Sequence, residues 1–281
     1  MSALAYINGE FLPLDKAKVS IEDRGFLFGD GIYEVIVAYH GEPFRMAQHL
    51  ARLKRSAQAI NLTLPHSIQE TERIIGEGIQ RSGFQHTKIY MQITRGVAPR
   101  THAFPVHTKP TFVVIFREKD EVPPKIRQKG VRVVTTEEIR WAKCYIKSVA
   151  LLPNVLAAQT AAEAGAFEAL FVTSDGMIKE GSASNIFIVT NGKVVTPAKN
   201  DTILHGVTRG AVLECAQKVG LEALEESLSL EELLTADEVF LTGTTTEVLG
   251  VVQVDECTIG EGWVGPVTQR IYGSFRELIS S

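Results

Sequence analysis

The sequence predicts a two-lobed protein of mixed α/β (α+β) class, with a small N-terminal α/β lobe and a larger C-terminal α+β lobe. Segments with apolar residues at three- and four-residue spacing interleave with short apolar or alternating runs, so helices and strands alternate along the chain. A charged stretch with adjacent prolines, EKDEVPPKIRQK at 118–129, interrupts that pattern and reads as an interdomain linker. The 281 residues then divide into 1–117 and 130–281, each long enough to bury a core.

Within the first lobe, residues 3–14 read as a hairpin turning at Asn8-Gly9, a pair that tolerates the positive φ of a tight turn. GIYEVIVAY at 31–39 is a strand, turned back by His40-Gly41-Glu42. Amphipathic helices follow at 48–61 and 67–81, then strands at 88–94 and 111–117. Beyond the linker, strands at 131–136 and 139–146 precede a helix at 153–164. Strands at 169–173, 185–190 and 193–196 are separated by Ser174-Asp175-Gly176 and Asn191-Gly192 turns. A helix at 207–219, a strand at 238–241 and a helix from 267 complete the lobe.

Composition narrows the function classes. With 44% hydrophobic and 22% charged residues the chain is globular rather than disordered. Its net charge of −4 provides no general attraction to nucleic acid or anionic membranes, and neither partner is expected. Cys144, Cys215 and Cys257 are odd in number and far apart, which argues against a disulfide framework, and none forms a CxxC pair. The histidines show no HExxH or paired spacing, so no metal site is expected. The opening MSALAYINGEF lacks the pattern of a signal peptide, and no run of about 18 apolar residues offers a membrane span. The expected location is the cytoplasm.

Gly260-Glu261-Gly262-Trp263-Val264-Gly265 fits G-x-G-x-x-G, but Pro266 follows and no βαβ unit can be completed, so it reads as a turn. Lys147, in RWAKCYIKSVALL, reads either as a lysine with a buried stem and a hydrated ammonium or as a partly desolvated amine able to attack a carbonyl. Glu180 precedes Gly181-Ser182-Ala183-Ser184, small residues that let a flat ring approach the backbone; it reads as a partner for a protonated ring nitrogen or as a solvated strand-start glutamate. Gly206-Val207-Thr208-Arg209 opens a helix and Thr242-Gly243-Thr244-Thr245-Thr246 follows a strand; both suit a phosphate, and both suit plain capping. Arg52 alone is an ordinary helix charge. The loop 94–102, with Arg95, Arg100 and His102, reads as a carboxylate clamp or a basic surface loop.

In this order, the motifs resemble the fold-type IV (class IV) pyridoxal phosphate-dependent aminotransferases, and among them the D-amino acid transaminases. The resemblance rests on EDRGFLFGDGIYEV (22–35), HLARL (49–53), TRGVAPRTHAFP (94–105), IRWAKCYIKS (139–148), EGSASN (180–185), ILHGVTR (203–209) and LTGTTTEV (241–248). These seven segments, in fixed order, are spread over residues 22–248, most of the length of the chain. The resemblance implies pyridoxal 5'-phosphate linked covalently to Lys147, which also shuttles the substrate proton. It implies that Glu180 pairs with the ring nitrogen, that Leu204 packs on the ring, and that Arg52, Val207, Thr208 and Thr244 bind the phosphate. Tyr33, Arg100 and His102 are implied to bind the substrate carboxylate, with the Arg100/His102 loop entering from the neighbouring subunit of a homodimer. The implied substrates are small amino acids and 2-oxo acids. Gly243 stands where the family often has serine, His205 where lysine is common and Val207 where isoleucine is common. Within the family, a branched-chain L-amino acid transaminase and an aminodeoxychorismate lyase remain alternatives. A non-catalytic carrier of the cofactor on the same scaffold is the alternative from another class.

Overall fold

The computed structural model describes residues 3–280; Met1, Ser2 and Ser281, which the sequence reading places at the ends of the two lobes, lie outside the described residues. The chain forms two compact units, Met1–Asp120 with Ile146–Ala150, and Glu121–Tyr145 with Leu151–Ser281. Lys147, expected in the large lobe, therefore belongs to the first unit.

The first unit holds β1 (Leu4–Ile7), β2 (Glu10–Pro13), β3 (Gly31–Tyr39), β4 (Glu42–Pro43), β5 (His86–Thr94) and β6 (Thr111–Glu118), with helices α1 (Arg24–Phe28), α2 (Met46–Ala59) and α3 (Ile68–Ser82). The strands form one antiparallel sheet in the order β2-β1-β6-β5-β3-β4. Asn8 and Gly9 take positive φ at the first hairpin, as the dipeptide predicts. Alternation sends Ile32, Glu34 and Ile36, Ile89, Met91 and Ile93, and Phe112, Val114 and Phe116 to one buried face. The helices supply its cover, α2 against β3 and α3 against β1 and β6. Tyr33, Val35, Tyr90, Gln92 and Ile115 project from the other face and are half-buried. Ser67 caps α3 by accepting from Glu70 N at 3.1 Å, and Gly83 ends it in the left-handed region.

The second unit contains β7 (Val131–Glu137), β8 (Glu168–Val172), β9 (Ile178–Gly181), β10 (Asn185–Thr190), β11 (Lys193–Pro197), β12 (Ala223–Glu226), β13 (Glu238–Gly243), β14 (Glu247–Val254) and β15 (Cys257–Thr258). Its helices are α4 (Pro124–Lys129), α5 (Leu152–Glu163), α6 (Val207–Lys218), α7 (Leu230–Leu234) and α8 (Pro266–Ser280). The sheet runs β12-β11-β10-β13-β14-β7-β8-β9, with β15 beside β14. Parallel β7 and β8 are joined through α5, the crossover that a parallel pair requires. Val133, Leu170, Ile186, Leu241 and Leu249 share a core, and Phe187 stacks on its cross-strand partner Phe240 with centroids 5.0 Å apart. No described helix is long and apolar enough to cross a membrane.

Several expectations need correction. No strand forms over 139–146. Ile139 and Trp141 are 53% and 49% exposed, while Arg140 between them turns inward to carboxylates, so the alternation marks a buried ion pair and not a ladder. Part of the expected linker is helical, because Pro124 at the first turn lacks only an N–H that a helix start does not use. β9, β12, β14 and α7 were not expected. The 260–265 motif, by contrast, is irregular as expected, with Gly260 and Gly262 at positive φ.

Gly78, inside α3, faces the Phe116 ring so closely that a Cβ would overlap it. Gly78→Ala should lower stability by about 1–2 kcal/mol despite a helix-propensity gain of about 1 kcal/mol. The measurement is thermal denaturation, with Gly76→Ala, where a Cβ meets nothing within 4 Å, as the stabilised control.

Candidate active site

In the first unit the buried face of β3 carries Glu34, a carboxylate with 0% exposure. His49 and Arg52, three residues apart on α2, meet it on one helical face. Arg52 Nε and Nη2 donate to the two carboxylate oxygens at 2.7 and 2.8 Å, and His49 Nδ1 lies 2.8 Å from Oε2. Unpaired, such a charge would cost several kcal/mol; the bidentate guanidinium offsets this. Burial opposes ionisation of Glu34, but the Arg52 charge and the Arg52 and His49 hydrogen bonds prevail and push its pKa down to about 2. His49 is lowered, first by burial and despite Glu34, so it is neutral at neutral pH and Nδ1–H is the donor to Glu34.

Lys147 is anchored to the same two elements. Tyr33 N donates to Lys147 O at 2.9 Å, Val149 N to Gly31 O at 3.0 Å, and Lys147 N to Ser56 Oγ of α2 at 3.2 Å. Its Nζ lies 4.3 Å from the Tyr33 ring centroid, a cation–π contact. Tyr33 stacks on Tyr90 at 5.7 Å, and burial together with the neighbouring Tyr33 pushes the Tyr90 hydroxyl up to about 12. The structure thus gathers Tyr33, Arg52 and Lys147 around β3 and α2. Arg100 and His102 are exposed and lie against Phe28 instead, the guanidinium 5.3 Å over that ring and the imidazole edge-on at 5.5 Å.

The second unit holds a second buried carboxylate, Glu180 on β9, at 4% exposure. Arg140 Nη1 donates to Oε1 at 2.6 Å, Asn185 Nδ2 to Oε2 at 3.0 Å, and Leu204 N to both oxygens at 3.0 Å. Arg140 is itself braced by Glu138 at 2.6 Å. The small residues after Glu180 wrap the buried Glu168, which accepts from Ala183 N at 2.6 Å and Ser184 Oγ at 3.0 Å. Burial raises the Glu168 pKa, and those donors counter it.

Nearby in this unit, α6 begins with Gly206 at its N-cap, without a side-chain cap, leaving the Val207 and Thr208 N–H groups at the helix start. A Cβ on Gly206 would overlap Asn185 Oδ1, so the close approach requires glycine there. Thr208 is buried and Thr244, in the β13–β14 turn, is half-buried. Thr242 Oγ1 and Arg209 Nε and Nη1 are buried without a hydrogen-bond partner among the described residues. Taken unit by unit, the amine on an aromatic face in the first suits an aldehyde, and the carboxylate ringed by donors and the uncapped helix start in the second suit a protonated ring nitrogen and a phosphate, the groups that pyridoxal phosphate carries.

A family model described as amino-transferase class IV matches residues 31–254. The D-alanine aminotransferase of Staphylococcus haemolyticus is 39% identical over 276 residues, 98% of each chain. That of Bacillus licheniformis is 39% identical over 274 residues, 98% of this chain and 96% of its own. Among solved structures, the branched-chain amino acid aminotransferase of Escherichia coli matches with a TM-score of 0.94 at 28% identity, covering 99% of this chain and 95% of that one. A second branched-chain amino acid aminotransferase, from T.th. and solved with pyridoxamine 5'-phosphate, matches at 0.90 and 29%, covering 99% and 94%. The family match and these relatives define a pyridoxal phosphate-dependent aminotransferase. The chain belongs to the class IV family of these enzymes.

Sequence reading missed Glu34, His49, Arg140 and Asn185. The signals were a carboxylate at an inward position of an apolar strand, a His/Arg pair three apart on a helix, and an arginine between two apolar residues. Because the Glu34 pKa is depressed on folding, its contribution is full above the unfolded value near 4.5 and is lost as pH falls toward 2. The melting temperature should drop across that window. Glu34→Gln should start lower, by about 3 kcal/mol, because Arg52 loses its counter-charge, and should lose less on acidification; a pH series of thermal melts reads both.

Proposed function

We propose that this chain is a D-amino acid transaminase, moving the amino group of D-alanine, D-glutamate or D-aspartate to a 2-oxo acid such as 2-oxoglutarate. The observation that carries this reading is the 39% identity to D-alanine aminotransferases across 98% of both chains. Bound pyridoxal 5'-phosphate supplies an aldehyde that condenses with amines and a ring that withdraws the electrons left when the α-proton departs. Lys147 would hold the cofactor through Nζ and would serve as the general acid–base that takes and returns the α-proton. Glu180 would accept the ring N–H, and Arg140, Asn185 and the Leu204 amide orient its carboxylate for this. Leu204 packs on the ring. Arg52, Val207, Thr208 and Thr244 hold the phosphate, with most of the cofactor contacts lying in 130–281. Tyr33, Arg100 and His102 bind the substrate carboxylate.

Arg100 and His102 are exposed on their own subunit, which supports a homodimer in which this loop enters the neighbouring active site. The oxo acid formed from the first substrate leaves before the second 2-oxo acid binds, so the kinetics are ping-pong. Three free thiols, Cys144, Cys215 and Cys257, suit the reducing cytoplasm. The branched-chain reading is favoured by the structural matches to the Escherichia coli and T.th. enzymes, which are matches of scaffold.

The deciding assay offers D-alanine and L-leucine separately, each with 2-oxoglutarate: D-alanine should turn over, and turnover of L-leucine alone would sink the D-specific reading. Lys147→Ala should abolish both turnover and the cofactor's borohydride-sensitive visible absorbance. Arg100→Ala should raise KM for dicarboxylic substrates about tenfold or more while cofactor absorbance persists; unchanged kinetics would remove Arg100 from the carboxylate site.

A further inference from the structure

Arg24 is 3% exposed, yet no step above uses it. It opens α1 immediately after Asp23, whose carboxylate caps the helix by accepting from Gly25 N at 2.8 Å. The same carboxylate accepts from Thr94 Oγ1 at 2.9 Å and Thr111 Oγ1 at 2.6 Å. The start of α1 is thereby tied to the end of β5 and the start of β6, which flank the 95–110 loop. From this fixed base the Arg24 guanidinium reaches across that loop. Nε donates to Asp30 Oδ2 at 2.8 Å, Nη1 donates to the carbonyls of Thr101 and Ala103, and Nη2 donates to the His102 carbonyl at 3.2 Å. Three consecutive carbonyls of an otherwise exposed loop are held by one buried side chain.

The neighbouring contacts extend the same clamp. Phe28, one turn on from Arg24, lies 4.9 Å from the Arg24 guanidinium and 5.3 Å from that of Arg100, with the His102 imidazole against its edge. Asp30 Oδ2 also accepts from Arg95 Nε at 2.8 Å. Arg95 donates onward to the Asn61 and Ile60 carbonyls, and its guanidinium lies 3.7 Å from the Phe104 ring centroid. Burial opposes ionisation of Asp30, but the hydrogen bonds and charges of Arg95 and Arg24 outweigh it and lower its pKa. One carboxylate thus orients two arginines, one gripping residues 101–103 and the other stacked on residue 104.

We propose that Arg24, oriented by Asp30, is a positioning residue for substrate-carboxylate recognition: it sets the backbone of 101–103 and, with Phe28, the directions in which Arg100 and His102 project. This rests on the reading of Arg100 and His102 as carboxylate ligands. A loop free to wander pays the cost of ordering each time a substrate binds, so a preset loop improves affinity without touching the chemistry at Lys147. The planar fork is needed, because a lysine cannot reach Asp30 and three carbonyls together.

The test is steady-state kinetics of the loaded enzyme with D-alanine and varied 2-oxoglutarate. Arg24→Gln should raise KM for 2-oxoglutarate about tenfold, with kcat changed less than about threefold and cofactor absorbance retained. Arg24→Lys should fall between Arg24→Gln and the parent. Backbone hydrogen exchange of residues 100–104 should quicken in both. In an Arg100→Ala background, Arg24→Gln should add less than about twofold to KM, because the ligand it positions is gone. Should Arg24→Gln fold poorly, Phe28→Leu on the half-exposed face of α1 carries the same prediction with a smaller rise. If Arg100→Ala raises KM but Arg24→Gln and Phe28→Leu do not, the positioning role is wrong and the carboxylate reading stands. If Arg100→Ala leaves KM unchanged, both fall. Fully additive effects in the double variant would overturn the positioning role alone.

Discussion

Glu34 lies on the buried face of β3 with no solvent contact, and its charge persists there because Arg52 and His49 close on it from α2. The geometry leaves little freedom. A bidentate guanidinium must lie in the carboxylate plane, so the helix can neither slide nor rotate on the strand without stranding an ion. One turn beyond Arg52, Ser56 accepts from the Lys147 backbone, and the first residues of β3 pair with 147–149. The contact that neutralises a buried charge therefore also fixes the register of the strand segment that carries the amine. Tyr33, next to Glu34, is turned by strand alternation to the opposite face, where its ring meets Lys147 Nζ.

The second unit solves a similar problem with different parts. Glu180 is satisfied by a guanidinium, a side-chain amide and a backbone N–H drawn from positions 140, 185 and 204. Asn185 donates to Glu180 and to the Leu204 carbonyl, and its Oδ1 packs against Gly206 at the start of α6. A single asparagine so couples the carboxylate to the helix N-terminus. Such a network is stable only when every member is satisfied, and losing one donor would leave a buried charge short of a partner.

The class IV scaffold is shared with branched-chain enzymes at a TM-score of 0.94, although identity to them is 28%. Identity to the D-alanine aminotransferases is higher, 39% over 98% of each chain. Substrate choice within the family is therefore written in side chains and loops laid over a common frame. The 95–110 loop shows how such a loop is held: buried Arg24 donates to its carbonyls, and its own Arg95 donates back to the Ile60 carbonyl at the end of α2.

Local physics was legible in the sequence where it acts over a few residues. Strand alternation at 31–39, the Asn8-Gly9 turn, the amphipathic helices and the two-lobed α/β class followed from periodicity and turn chemistry, and the residues around Lys147 and Glu180 were recognised by motif. What the sequence by itself determined was thus the class of fold and the family, together with the amine and the carboxylate proposed as cofactor ligands. Tertiary structure alone decided which residues answer the buried charges: that Glu34 meets His49 and Arg52, that Arg140 turns inward instead of continuing a strand, and that Arg24 holds carbonyls 77 to 79 residues away. The reason is physical. Periodicity records which face of an element is dry, but a desolvated charge takes its partner from whatever chain the fold brings alongside, and sequence separation carries no trace of that choice.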